Sequence, residues 1–322
     1  MTCGIIERMT RKTAVCAIAA AAIVVALGVQ RTGAHQTPAS PDLSADLVRQ
    51  AQQAMRDGKE QDAVAMARKA VAAAPASFQA HIALGSMLDL AGDYPHAREA
   101  FAKAGEVAGS ASDKIRARRA TAISYAFERD CTNVARIDGA VYEQYLQAKE
   151  FTTAGEVANE LARLCLDSAN VDFAEQWYRK GNEAALKSPT LDDEAKDLWQ
   201  FRLEHALGRI AARRSRKAEA DRHVAAAKAV IDRGRLPEGQ AEFFPYLQGY
   251  VALFTGDYSG ALSSLQHANQ DDPSVASLTA QAYEKLGQMD KAQEYYRKVL
   301  QSTAHNPTTA ASRPLARTKV KS

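Results

Sequence analysis

The sequence predicts an all-α solenoid of antiparallel helix pairs, and three observations carry that prediction. Apolar residues recur at helical spacing in paired runs separated by short turns. The run after Phe78 places Ile82, Leu84, Gly85 and Leu88 on one face, and the run after the turn Gly92-Asp93-Tyr94 places Ala97, Ala100, Phe101 and Ala104 on one face. Small residues then recur in phase 34 residues apart, as Gly58 and Gly92, Ala63 and Ala97, Ala70 and Ala104. Alanine is frequent, while Gly (18) and Pro (10) are few and clustered, a balance that favours helix. Neither helix of a pair can bury its stripe alone, so the two must fold back on each other. Gly85, Ala97 and Ala104 stand where the backbones approach most closely.

The stretch from Phe78 to Ala111 resembles the tetratricopeptide repeat, a 34-residue pattern of the form W-x2-L-G-x2-Y…A-x3-F…P. Leu84-Gly85, Leu88, Gly92, Tyr94, Ala97, Phe101 and Ala104 fill its slots; His81 stands in the Trp slot and Gly109 in the closing Pro slot. The resemblance extends over about residues 44–303. It implies a right-handed superhelix whose concave groove is lined by the first helix of each pair, and it implies protein binding rather than catalysis.

Arg8, Arg11 and Lys12 precede the uncharged run Thr13–Val29. This is the order of a signal peptide, with cleavage sites after Gly28 or Ala34; the run also approaches the length of a membrane anchor. Residues 1–34 are therefore read as a signal peptide or an N-terminal anchor, with the body exported, periplasmic or facing the periplasm. Of 41 basic and 38 acidic side chains, four and one lie in this leader, so the remainder carries 37 of each. Net charge gives no support to nucleic-acid binding.

Residues 35–43 read as a Pro/Ser linker, with Ser44 placed to cap the first helix. Helix pairs follow over residues 44–305. The first closes at Pro75. Gly-Ser-Ala-Ser at 109–112 interrupts the register, and the next hairpin, turning at Asp130–Asn133, reads as a degenerate repeat or an inserted hairpin. The register returns near Gly155, and a loop spans Arg233–Gly239. Two further units carry Gly256-Asp257-Tyr258 and Leu286-Gly287, making seven pairs. Residues 306–322, with Pro307, Pro314, Arg313, Arg317, Lys319 and Lys321, read as a disordered basic tail.

No GxGxxG, GxxxxGK[ST], GxSxG or HExxH occurs, and the seven His residues do not pair at ligand spacing. A hydrolase or lyase acting in the groove has no motif behind it, and no cofactor or metal is expected. The groove slots instead place Asn159 and Arg163 in the fourth unit, Arg202, His205, Arg209 and Arg213 in the fifth, and Phe243, Tyr246 and Tyr250 in the sixth, with Phe254 close by. The i, i+3, i+7 spacing puts those rings on one helix face. A basic strip beside an aromatic strip suits an extended peptide with acidic and apolar side chains. The alternative is a solvated helix face beside aromatics packed on the next loop. Tail binding of the family's carboxylate-clamp kind is not expected, because Ile82 and Ser86 occupy those slots in the second unit. Cys131 and Cys165 lie near one edge of the array, where an oxidising compartment permits a bridge; the alternative is two small buried residues. The sequence thus points to a non-catalytic scaffold holding a partner protein or peptide in the cell envelope, or to a membrane-anchored assembly subunit of an envelope complex.

Overall fold

The structure, a computed structural model, describes residues 41–320; the expected leader and most of the expected linker lie outside them. Within these residues the chain is all helical, with fifteen α-helices and one short 3-10 turn. The helices form seven antiparallel pairs. They are α1 (Pro41–Arg56) with α2 (Glu60–Ala73), α3 (Phe78–Ala91) with α4 (Tyr94–Val107), α5 (Ala111–Phe127) with α6 (Cys131–Gln147), and α7 (Phe151–Asp167) with α8 (Val171–Ala185). Then come α9 (Asp193–Arg213) with α10 (Lys217–Ile231), α11 (Phe244–Phe254) with α12 (Tyr258–Leu265), and α13 (Pro273–Lys285) with α14 (Met289–Leu300). A fifteenth helix, α15 (Pro307–Lys319), follows the pairs. Each helix packs chiefly on its neighbours in the chain, so the core is a row of apolar layers between successive pairs.

One turn geometry builds all seven pairs. Gly58, Gly92, Arg129, Ala169, Ser215, Gly256 and Gly287 follow the first helix of each pair with φ between 57° and 91°. The next N–H reaches back five residues, as in Lys59 N to Ala54 O at 2.8 Å and Asp130 N to Tyr125 O at 3.0 Å, which satisfies a carbonyl at the helix end. Glycine meets this left-handed requirement freely in four pairs; Arg129, Ala169 and Ser215 meet it against their own Cβ. Hence the repeat signature fades in the middle of the sequence while the geometry does not. The α5–α6 hairpin is a repeat unit in series, packed on α4 and α7, and not an insertion.

Close approach within a pair needs a missing side chain. A Cβ on Gly85 would lie 2.4 Å from the Phe101 ring, and one on Gly249 would lie 2.5 Å from Leu265. Both pairs repeat one device, a large residue on the second helix filling the gap over a glycine on the first.

Three sequence expectations are corrected here. Helix α1 begins at Pro41, inside the expected 35–43 linker. Ser44 does not cap it; the residue is buried within α1, and its Oγ donates to Ala70 O at 3.0 Å, tying α1 to α2. The expected disordered tail is largely helix α15, because it packs on α5, α7, α13 and α14 and buries Ala310, Arg313 and Ala316. Charged composition suggested disorder, but the charges have partners. Arg313, 1% exposed, donates from Nε to Leu90 O at 2.8 Å, from Nη1 to Leu300 O at 2.6 Å, and from Nη2 to Glu60 Oε1 at 2.8 Å. Arg317 donates to Ala91 O at 2.9 Å and pairs with the same Glu60. Two arginines thus satisfy carbonyls at the ends of α3 and α14, where helix dipoles favour cations, and join the second pair to the seventh.

Cys131, opening α6, and Cys165, late in α7, are joined as a disulfide with Cα atoms 5.1 Å apart. Among the described residues no helix is long and apolar enough to cross a membrane.

Candidate functional site

The first helices of the pairs face the inside of the array, and the C-terminal segment crosses that inside. The crossing divides the trough into two cavities that share Glu160 and Pro307 in their walls. One cavity, of about 670 Å³, is walled by Val48 and Gln52 of α1, Gln79 and Ile82 of α3, Ile115 and Arg119 of α5, and the segment 303–307. The other, of about 450 Å³, lies among α7, α9, α11 and α13, with Tyr178 of α8 at its base and residues 240–243 along its rim.

Seven of the ten residues assigned to the groove from sequence line this second cavity: Asn159, Arg163, Arg202, His205, Arg209, Phe243 and Tyr246. The other three do not. Tyr250 is 2% exposed and accepts from Arg213 Nη1 at 3.3 Å. The Arg213 guanidinium lies 5.0 Å over the Phe254 ring, whose centroid is 4.5 Å from that of Tyr250. These three fill the layer between α9 and α11. The heptad-like spacing that aligned Tyr246 with Tyr250 could not tell the cavity wall from the packing one turn further on.

The cavity's electrostatics follow from its arginines. Arg209, 5% exposed, donates from Nη2 to Tyr178 Oη at 2.8 Å and stands over the Tyr178 ring at 5.5 Å. Arg163 donates from Nη2 to Ser274 Oγ at 3.4 Å and stands 5.9 Å over the Tyr246 ring. Arg202 stacks 5.1 Å over Trp199 and reaches Glu156 at 3.8 Å. His205 lies parallel to Tyr246, centroids 5.7 Å apart, and its Nε2–H donates to Phe243 O at 3.2 Å. Burial and the neighbouring Arg209 charge push its pKa well below the ordinary imidazole range, so it remains neutral.

Sequence reasoning missed several walls of the cavity. Glu156, Phe201 and Val275 belong to first helices and were within reach of the same register. Tyr178, Gln240, Asn269, Asp272 and Pro307 come from a second helix, loops and the C-terminal segment, where periodicity carries no signal. The described residues contain no group of three or more His, Cys, Asp or Glu side chains arranged to hold a metal ion.

A family model described as "Tetratricopeptide repeat" matches residues 278–306, which include most of α13 and all of α14. Comparison with curated protein sequences gives no match. Among solved structures, a tetratricopeptide repeat protein from Parabacteroides merdae is similar at 14% identity, covering 80% of this chain and 92% of that one with a TM-score of 0.41. The APC/C hetero-tetramer Cut9–Hcn1 is similar at 16% identity over 81% of this chain and 47% of that one, with a TM-score of 0.37.

Proposed function

We propose that the protein is a non-catalytic interaction scaffold, holding a segment of a partner protein against the inner faces of α7, α9 and α11. The observation that carries this reading is the convergence of Arg202, His205, Phe243 and Tyr246 on one concave face. Aromatic and guanidinium groups are the side chains that anchor interfaces. Phe243 is 46% exposed at the rim, an apolar surface a partner would cover. The scaffold works outside the cytoplasm: the basic–apolar leader supports export, and the Cys131–Cys165 bridge supports an oxidising compartment.

A photo-crosslinking residue at position 243, with a matched one at Lys217 on the far helix of the fifth pair, tests partner capture in native cells. A species captured from 243 and not from 217, and lost on Arg202→Ala, supports the groove. Equal capture from both positions counts against it. N-terminal sequencing of the mature protein tests export, since a start at Val29 or His35 marks a cleaved leader and a start at Met1 a retained one.

A further inference from the structure

We propose that the cavity beneath that face is a small-molecule site for an organic anion with an aromatic or apolar body, which goes beyond the scaffold reading. Its volume of about 450 Å³ falls in the range of small-ligand pockets. Pro307 and Glu160 stand between it and the other cavity.

Two guanidiniums supply the anion recognition. Among the described residues, no carboxylate lies within ion-pairing distance of Arg163 or Arg209; their hydrogen bonds go to Ser274 Oγ, Tyr178 Oη and the His205 carbonyl. Among the described residues the buried Arg163 Nε has no acceptor. Of the four acids in the wall, Asp272 is engaged in capping α13 through Ser274 N and Oγ, Glu160 pairs with Arg119 at 2.6 Å, Glu156 faces Arg202 at 3.8 Å, and Glu242 is exposed at the rim. Asp167 acts on both guanidiniums at longer range, and Asp272 on Arg163, without a direct ion pair. The donors that face only neutral groups remain open to a carboxylate or phosphate, which a guanidinium binds in bidentate form. Tyr246 and Phe243 give the body of the ligand two ring faces, and Val275 gives it an apolar wall.

The test is titration of the full-length protein with 3-phenylpropionate and with phenyl phosphate, against neutral 3-phenylpropanamide, read by ligand-observed NMR and calorimetry. We expect saturable one-site binding of at least one anion, with the amide at least about tenfold weaker. Arg163→Gln should weaken the anion by a similar factor, and Arg163→Lys by less; melting curves report whether each variant is folded. No binding of either anion at millimolar concentration, equal binding of the amide, or an unchanged affinity in folded Arg163→Gln would overturn the proposal. The crosslink from position 243 reads partner capture alone and the titration reads the cavity alone, so either reading can fail without the other.

Discussion

His305 Nε2 lies 2.7 Å from Asp89 Oδ2, joining residues 216 positions apart in the chain. Ser124 Oγ donates to the other Asp89 oxygen at 2.7 Å, and the His305 ring sits between Phe101 and Phe127 with centroids 5.0 and 5.8 Å away. The contact fixes the segment that crosses the trough to the inner side of the second and third pairs. Arg313 fixes the helix that follows. A helical array whose ends are otherwise free is here closed by its own last element, and the two cavities owe their shared wall to that closure.

Removing the Arg313 fastening should therefore loosen the whole C-terminal segment. Arg313→Ala strands the Leu90, Leu300 and Ser302 carbonyls and one Glu60 oxygen. Each buried group left without a partner costs about 1–3 kcal/mol, so a loss of about 3 kcal/mol or more is expected in urea denaturation. Limited proteolysis should then cut within residues 301–319 in the variant and not in the wild type. Equal midpoints and equal cleavage patterns would show that the helix holds by apolar contact alone.

The Cys131–Cys165 bridge encloses a sequence separation of 34 residues, linking the third pair to the fourth. Chain-entropy reasoning gives about 3–4 kcal/mol for a loop of that length. Cys131→Ser/Cys165→Ser, or reduction of the wild type, should cost a comparable amount of stability and lower the melting temperature. Dithiothreitol should leave the double variant unmoved. A wild type whose melting point ignores reductant would mean that the packing of α6 on α7 suffices.

The left-handed turn residues offer a gain instead of a loss. Arg129, Ala169 and Ser215 hold φ of 60°, 66° and 57°, a conformation that costs a residue with a Cβ about 1–2 kcal/mol. Glycine removes that cost but adds backbone entropy to the unfolded chain, so each of Arg129→Gly, Ala169→Gly and Ser215→Gly should stabilise by about 0.5–1 kcal/mol. Gly92→Ala should do the reverse, and more strongly, since its Cβ would also meet the Arg317 guanidinium at 2.7 Å. Thermal melts of the four variants decide it; three glycine variants that all melt lower would refute the strain argument.

These turns also show why the fold was legible in the sequence and the closure was not. Gly58, Gly92, Gly256 and Gly287 announce the turn because glycine is the residue the geometry prefers, and the small slots repeat because backbones meet there. Those constraints are local, and a periodic sequence exposes them. The inward slots Asn159, Arg163, Arg202, His205 and Arg209 follow from the same register. Nothing local marks Arg313 or His305, whose partners Leu90 and Asp89 lie more than 200 residues away. Pro314 and the basic residues near it read as helix-breaking and solvated, and only tertiary contact makes that stretch a helix. Tyr250 and Phe254 lie outside the cavity wall for a different reason: periodicity assigns a face, and cannot say how deep in that face a ring is buried.

The glycine–aromatic contact of the second pair should behave as a coupled unit. A Cβ at Gly85 would overlap the Phe101 ring, so Gly85→Ala should cost about 1–3 kcal/mol by overpacking. Phe101→Leu alone should cost a similar amount by leaving a void. Together they should cost less than their sum, because the smaller side chain makes room for the methyl group. Chemical denaturation of the single and double variants measures the coupling; strict additivity would show that the two positions do not share the same space.

Asp138 supplies the pH test. It is fully buried on α6, and among the described residues no donor reaches either of its carboxylate oxygens. Burial, with the nearby Glu160 charge adding to it and Arg119 opposing, pushes its pKa up to about 8. In the folded protein the group is thus protonated at neutral pH, whereas in the unfolded chain it ionises near 3.8. Below that lower value both states hold the proton and Asp138 contributes no pH dependence. As pH rises from about 4 to about 8, the unfolded state releases the proton and gains free energy that the folded state cannot match. Stability is lost across that window, by an amount on the order of a few kcal/mol. Asp138→Asn and Asp138→Leu remove the titration, so each variant should gain on the wild type steadily as pH is raised, with the smallest difference at the acid end. Urea midpoints for the three proteins at pH 4.5, 6 and 8 read this directly. A difference that stays constant with pH would show that the carboxyl is ionised in the fold, with its charge met by Arg119 despite the burial.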